Sequence, residues 1–163
     1  MNSDIFGVEQ LPAEIKEGLQ SRVDIILHKL KFFTEKPKIA LLQQAGVTAN
    51  QYEEYIKIAG GSLIAENSNW EEPLLQNPDI IIIALRGKDL TAAMTQMHDF
   101  FNLQGWQEAS AVKNNKVYVL DSQNYLEQQG EKAVEALEAL AEIITPRYFN
   151  FGLEGKAWLK FSM

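Results

Sequence analysis

The sequence predicts an α/β fold, a three-layer sandwich around a mainly parallel sheet of four to five strands. Three observations carry this. Short apolar strands alternate with amphipathic helical segments along most of the chain. Residues 79–85 include four consecutive isoleucines, and a strand apolar on both faces belongs in the middle of a covered parallel sheet. Residues 77–121 then read as strand, Gly-containing polar loop, helix and returning strand, which is one βαβ unit.

Taken in order, residues 1–12 form an irregular arm ending at Pro12. Residues 13–34 place Ile15, Leu19, Val23, Ile26, Leu27, Leu30 and Phe33 on one helical face, and Pro37 closes the segment. A short apolar strand covers 38–42. A polar loop follows, then a helix over 49–59. Gly60-Gly61 ends that helix, because glycine takes left-handed C-cap geometry without a Cβ penalty. Residues 62–65 form a second strand and 70–76 a short helix. After the isoleucine strand, Asp89 is suited to cap a helix that turns Leu90, Ala93, Met94, Met97 and Phe101 inward. Residues 116–120 are the fourth strand. The last helix, 131–144, faces Ala133, Val134, Leu137, Leu140, Ala141 and Ile144 inward, and Pro146 stops it. The domain organisation is thus an arm (1–12), a single α/β domain (13–146) and an aromatic extension (147–163). The extension carries Tyr148, Phe149, Phe151, Trp158 and Phe161, and either packs on the domain or offers an association surface.

A chain of 163 residues is one domain with room for a proper core. Its formal charge of −7 lacks the basic footprint that nucleic acid requires, so no nucleic-acid partner is expected. Without cysteine there is no disulfide, thiolate nucleophile or cysteine-ligated metal. No apolar run approaches the ~20 residues of a membrane span, so membrane insertion is not expected. The first residues have neither a basic n-region nor an apolar h-region. No export signal is therefore expected within them, and the chain is cytoplasmic as it stands or periplasmic if a leader lies outside it.

In open parallel sheets, ligands bind beyond the carboxyl ends of the strands. Here that edge is built from residues 43–50, 66–70, 86–90 and 121–130. Arg86 and Lys88 flank Gly87 beside Asp89 and a helix start, an arrangement suited to an anion or carboxylate. Asp121, Asn124, Tyr125 and Glu127 follow the fourth strand and either contact a polar ligand or build their own loop. Gln43, Gln44 and Tyr52 complete the candidate set. His28 and His98 lie in separate helical segments without metal-ligand spacing, so no metal site is expected. Met94, Met97, Phe100 and Phe101 read as core. For catalysis, Glu53-Glu54 and Glu71-Glu72 are sequence neighbours that diverge on a helix, and no Ser–His pairing or nucleotide-binding glycine loop is present. A non-catalytic protein is expected, with a small hydrolase-like enzyme as a minor alternative.

Several landmarks recur together. Ala59-Gly60-Gly61 precedes a short strand, Asn77-Pro78-Asp79 precedes the isoleucines, and Gly105-Trp106 precedes the run AVKNNKVYVLD at 111–121. The run ALAEIITP at 139–146 closes the domain. In this order, from Ile15 to Phe149, the chain resembles the C-terminal lobe of bacterial periplasmic substrate-binding proteins of ABC importers, in the branch serving cobalamin, haem and iron–siderophores. The resemblance implies a single lobe of a class III periplasmic-binding-protein-like fold, with no cofactor. It implies a corrinoid or iron chelate as ligand at the strand-end loops, and an ABC permease as partner, docked through Glu71. A counterpart of the family's N-terminal lobe is not found in this sequence. Half a cleft is expected, completed by a homodimer or by a separate N-lobe partner.

The resemblance also marks departures. Cobalamin-type members tend to carry Pro-Cys-Gly-Phe-Asp where this chain has Leu85-Arg86-Gly87-Lys88-Asp89, keeping the glycine and the aspartate. They place tryptophans where this chain has Gln43-Gln44-Ala45-Gly46 and Asn50-Gln51-Tyr52. These replacements support an alternative function, an interaction or scaffold protein that kept the fold and lost ligand binding.

Overall fold

The isoleucine run occupies the place its two-sided apolarity demands. The computed structural model describes residues 4–43, 50–64 and 70–162. In chain order the elements are α1 (Ala13–Lys29), β1 (Lys38–Leu42), α2 (Glu53–Ile58), β2 (Ser62–Leu63), α3 (Glu71–Leu75), β3 (Ile80–Ile83), α4 (Leu90–Thr95), α5 (Ser110–Lys113), β4 (Val117–Leu120), α6 (Glu131–Ile144) and β5 (Trp158–Phe161). The strands form one sheet in the order β2-β1-β3-β4-β5, with β3 central. Pairings are parallel except β4 with β5.

Side-chain alternation divides the interior into two layers. Ile39, Leu41, Ile80, Ile82, Tyr118 and Leu120 face the layer packed by α1, α2 and α6. Ala40, Leu42, Ile81, Ile83, Val117 and Val119 face Leu74, Ala93, Met97, Phe100 and Trp106 on the other side. All four isoleucines of β3 are buried. Each contributes about 1.5–3 kcal/mol by leaving water, which is why β3 fixes the centre of the sheet.

Four details differ from the periodicity argument. α1 ends at Lys29, and Leu19, Val23, Ile26 and Leu30 form its buried stripe, while Ile15 and Leu27 are 52% and 40% exposed. Leu27 lies about 100° around the helix from Ile26 and falls off that stripe. The helix expected over 49–59 starts as a tight 3-10 turn at Asn50–Tyr52 before α2. α4 breaks at Gln96 into another such turn, Met97–Phe100, so Phe100 is fully buried and Phe101 only partly. β2 spans two residues, shorter than expected, although Ile64 N–H still donates to Ile39 O at 2.9 Å.

Gly60 is one position where glycine is required. Its φ is +100°, and a Cβ there would lie 2.9 Å from Thr145 Cγ2 on the end of α6. The segment after Pro146 supplies β5, and Glu142 fastens it. That buried carboxylate accepts hydrogen bonds from Phe151 N–H, from Gly152 N–H at 3.0 Å and from Trp158 Nε1 at 2.9 Å. The N-terminal arm is fastened too. Gly130 N–H donates to Phe6 O at 2.7 Å, Tyr55 Oη donates to Ile5 O at 3.2 Å, and Phe6 packs edge-on against Tyr55.

Candidate functional site at the strand ends

Because β1, β3 and β4 run parallel, the residues that follow them meet at one edge of the sheet. Gln43 follows β1 and is only 1% exposed. Its amide end lies at the hydroxyl of Tyr52, on the turn before α2. Among the described residues, nothing donates to Gln43 Oε1. Burial raises the Tyr52 pKa above 10.0, and the charge of Glu127 raises it further, while Arg86 and Gln43 pull it down. Tyr52 therefore stays a neutral phenol at physiological pH, within range of both charges.

Glu127 joins two of the loops. Its Oε2 accepts from Gly87 N–H at 2.7 Å and from Ser122 Oγ at 2.6 Å. The loop after β3 is also held to the loop after β4 by Gln123 N–H donating to Lys88 O at 3.1 Å. Gly87 has φ +75°, which a Cβ would strain. Gln43, Tyr52, Arg86, Gly87 and Glu127 are thus brought together.

Other candidates have partners within the chain. Asp89 is the N-cap of α4, its Oδ1 accepting from Ala92 N–H at 2.8 Å. Lys88 N–H turns back to Leu85 O at 3.1 Å. Asp121 is buried and spends both carboxylate oxygens on Asn124, one on its backbone N–H at 2.9 Å and one on its Nδ2 at 3.0 Å. Tyr125 is buried with Lys132 Nζ over its ring at 4.6 Å. Gln44 lies outside the described residues. Glu71, on the opposite helical layer, accepts from Gln104 N–H at 2.6 Å and so steadies the turn before Trp106.

At the anion seat expected over Arg86–Asp89, two sets of backbone donors are engaged within the chain. Gly87 N–H holds Glu127, and the start of α4 holds Asp89. Ser122 was missed by sequence reasoning. Its only signal is a hydroxyl just past a strand end, five residues before a glutamate. A cavity of about 210 Å³ also lies at the other edge of the sheet, between Phe33, Glu35, Asp79, Lys116, Arg147 and Tyr148. Among the described residues no cluster of three or more metal-ligating side chains occurs, and no helix is long and apolar enough to cross a membrane.

No family model matches this chain, and no curated protein does. Solved structures do match. An ABC transporter substrate-binding protein from Listeria monocytogenes EGD-e aligns with a TM-score of 0.67 and 23% identity, over 82% of this chain and 56% of that one. IsdE of S. aureus, solved with heme, aligns at 0.65 and 25% identity over 81% and 56%. A periplasmic heme-binding protein from Pseudomonas aeruginosa aligns at 0.63 and 19% identity over 92% and 56%. The chain thus has the fold of ABC-transporter substrate-binding proteins and spans little more than half the length of these relatives, a stretch consistent with a single lobe.

Proposed function

We propose that this chain is a non-catalytic ligand-binding module in which one lobe of a substrate-binding fold presents the strand-end loops to a small molecule. The observation that supports this reading most is the convergence of Gln43, Tyr52, Arg86 and the Gly87–Glu127 tie at the ligand-binding edge of that fold. The structural relatives include heme-binding proteins, and an iron chelate, haem or a corrinoid is the ligand class we assign. A second wall completes the cleft, from another copy or a separate lobe, because pockets of this kind bury most of their ligand. An ABC permease is the downstream partner in this reading.

A second reading, a scaffold that no longer binds ligand, draws on one observation. The polar groups best placed to receive an anion are satisfied internally by Glu127 and Asp89.

Thermal unfolding with hemin, cyanocobalamin and ferric siderophore chelates separates the two. A true ligand at about a hundred times its Kd adds about 2.7 kcal/mol of stability. Tyr52→Ala and Arg86→Ala abolish the shift if the strand ends are the site, and Arg147→Ala at the opposite cavity leaves it intact. A chain indifferent to all three classes is a scaffold.

A further inference from the structure

We infer that the cavity at the amino-terminal edge of the sheet is a second ligand site, and that it takes a small zwitterion with an apolar body, an amino acid with an aromatic or branched side chain. The inference goes beyond the strand-end reading and does not depend on it. The cavity holds about 210 Å³. Pockets for larger ligands run to roughly 300–1,000 Å³, so a haem or a corrinoid does not enter this one.

Its walls are apolar and fixed. The cavity opens where β1, β3 and β4 begin, between Phe33, Pro37, Ile80, Ile144, Pro146 and the Tyr148 ring. Ile80 and Ile144 are buried, and the Phe33 and Tyr148 rings stand edge to face with centroids 5.8 Å apart. Asp79 N–H donates to Lys38 O at 2.9 Å, Asp79 Oδ2 accepts from Lys38 N–H at 2.8 Å, and Tyr148 N–H donates to Thr145 O at 3.0 Å. Little backbone has to be ordered when a ligand arrives, which spares affinity.

The rim decides the chemical class. Glu35, Lys116 and Arg147 line the cavity, and among the described residues none of their side chains has a hydrogen bond or an ion pair. All three are exposed, so a ligand reaches them from solvent. Exposed charges alone are ordinary; these ring an apolar cavity with a buried floor. Lys116 O accepts from Ile81 N–H at 3.0 Å, and alternation puts the Lys116 side chain on the sheet face of Ile80 and Tyr118. The carboxyl end of α6 lies here as well. Pro146 brings no N–H and Tyr148 N–H turns to Thr145 O, so among the described residues Ile144 O accepts no backbone N–H. Such a helix end carries about half a negative charge. Two cations thus stand against Glu35, Asp79 and the helix end. A lone anion or a lone cation gains from one set and is repelled by the other. A zwitterion serves both, its carboxylate at Lys116 and Arg147 and its ammonium at Glu35 and the end of α6, through charge-assisted hydrogen bonds. Its net charge of zero also spares it the repulsion of a chain at −7.

The test is a ligand-observed NMR titration of the full chain. L-Phenylalanine, hydrocinnamate and phenethylamine share one ring and carry both charges, the carboxylate alone and the ammonium alone. L-Phenylalanine or L-leucine should bind, and the two single-charge analogues should bind about threefold or more weakly than L-phenylalanine. Arg147→Ala and Lys116→Ala should each weaken the amino acid by a similar factor, and Glu35→Gln should cancel the advantage of L-phenylalanine over hydrocinnamate. Lys156→Ala removes an exposed cation elsewhere and should leave binding unchanged. Melting temperatures of the variants verify that each is folded. Failure of both amino acids to bind, or an analogue that binds as tightly as L-phenylalanine, overturns the inference. Amino-acid binding indifferent to Arg147→Ala and Lys116→Ala overturns it as well. The response to hemin, cyanocobalamin and ferric chelates is measured separately, so either site can fail while the other stands.

Discussion

Glu142 ties the segment after α6 to the domain through three hydrogen bonds. It is buried on α6, and its two oxygens accept from Phe151 N–H, Gly152 N–H and Trp158 Nε1. Removing the carboxylate leaves the buried Trp158 Nε1 and the half-buried Phe151 N–H without their acceptor, whereas Gly152 N–H keeps Asn150 Oδ1 at 3.2 Å, and each unmatched buried donor is costly. Glu142→Ala should lower the unfolding free energy by about 2–4 kcal/mol. Glu142→Gln should lower it less, because one carbonyl oxygen remains to accept. Urea unfolding of the two variants checks this, and equal losses would remove the hydrogen-bonding account. The tyrosines give a second prediction at this scale. Burial raises the pKa of Tyr55, Tyr52 and Tyr118 above the ordinary 10.0. A raised native pKa means that the unfolded chain ionises first. The stability is therefore fully present below pH 10.0 and is lost as pH rises through the native values. Unfolding curves at increasing pH, read with phenolate absorbance, should show these rings ionising together with unfolding. Tyr55→Phe should flatten part of that slope.

At the scale of elements, two short helices, α3 and α5, end on asparagine. α5 is followed by Asn114 and then Asn115 at φ 56°, with Lys116 N–H returning to Ala111 O at 2.7 Å. α3 ends the same way, with Asn77 at φ 56°. A left-handed residue other than glycine carries a backbone penalty of about 1–2 kcal/mol, smaller for asparagine. Asn115→Gly should therefore stabilise the protein by about 0.5–1 kcal/mol, and Asn115→Val should destabilise it. Asn77→Gly should not bring the same gain, because Asn77 Oδ1 accepts from Ser110 N–H at 2.8 Å and glycine loses that bond. Thermal denaturation of the three variants separates the effects. The same contrast explains what was legible in the sequence. β3 and α6 were readable because their information is local, an isoleucine run in one and a helical period between Gly130 and Pro146 in the other. β5 was not, because the run WLKF becomes a strand only by pairing with β4 and hanging from Glu142 on another element. The strand-end rule brought Gln43, Tyr52 and Arg86 forward as candidates. It could not show that Glu127 closes on Gly87 and Ser122, since that contact joins two loops 40 residues apart. Nor could it separate ligand-facing from loop-building residues, which is why Asp121, Asn124 and Tyr125 looked alike until their partners were visible.

At the scale of the whole molecule, the question is what forms the second wall. The strand ends lie along one edge of the sheet, and a small molecule gains most when most of its surface is covered. If a second copy supplies that cover, ligand and assembly are thermodynamically linked, so each promotes the other. Each copy carries a formal charge of −7, and two such copies repel. Salt screens that repulsion, with a Debye length of about 8 Å at physiological ionic strength. With the ligand that raises the melting temperature present, light scattering should report twice the 18.4 kDa of the chain, and the apparent affinity should rise with protein concentration. The ligand-induced dimer should strengthen with added salt at saturating ligand. A mass that stays at 18.4 kDa with ligand bound, and an affinity independent of protein concentration, would assign the second wall to a separate lobe.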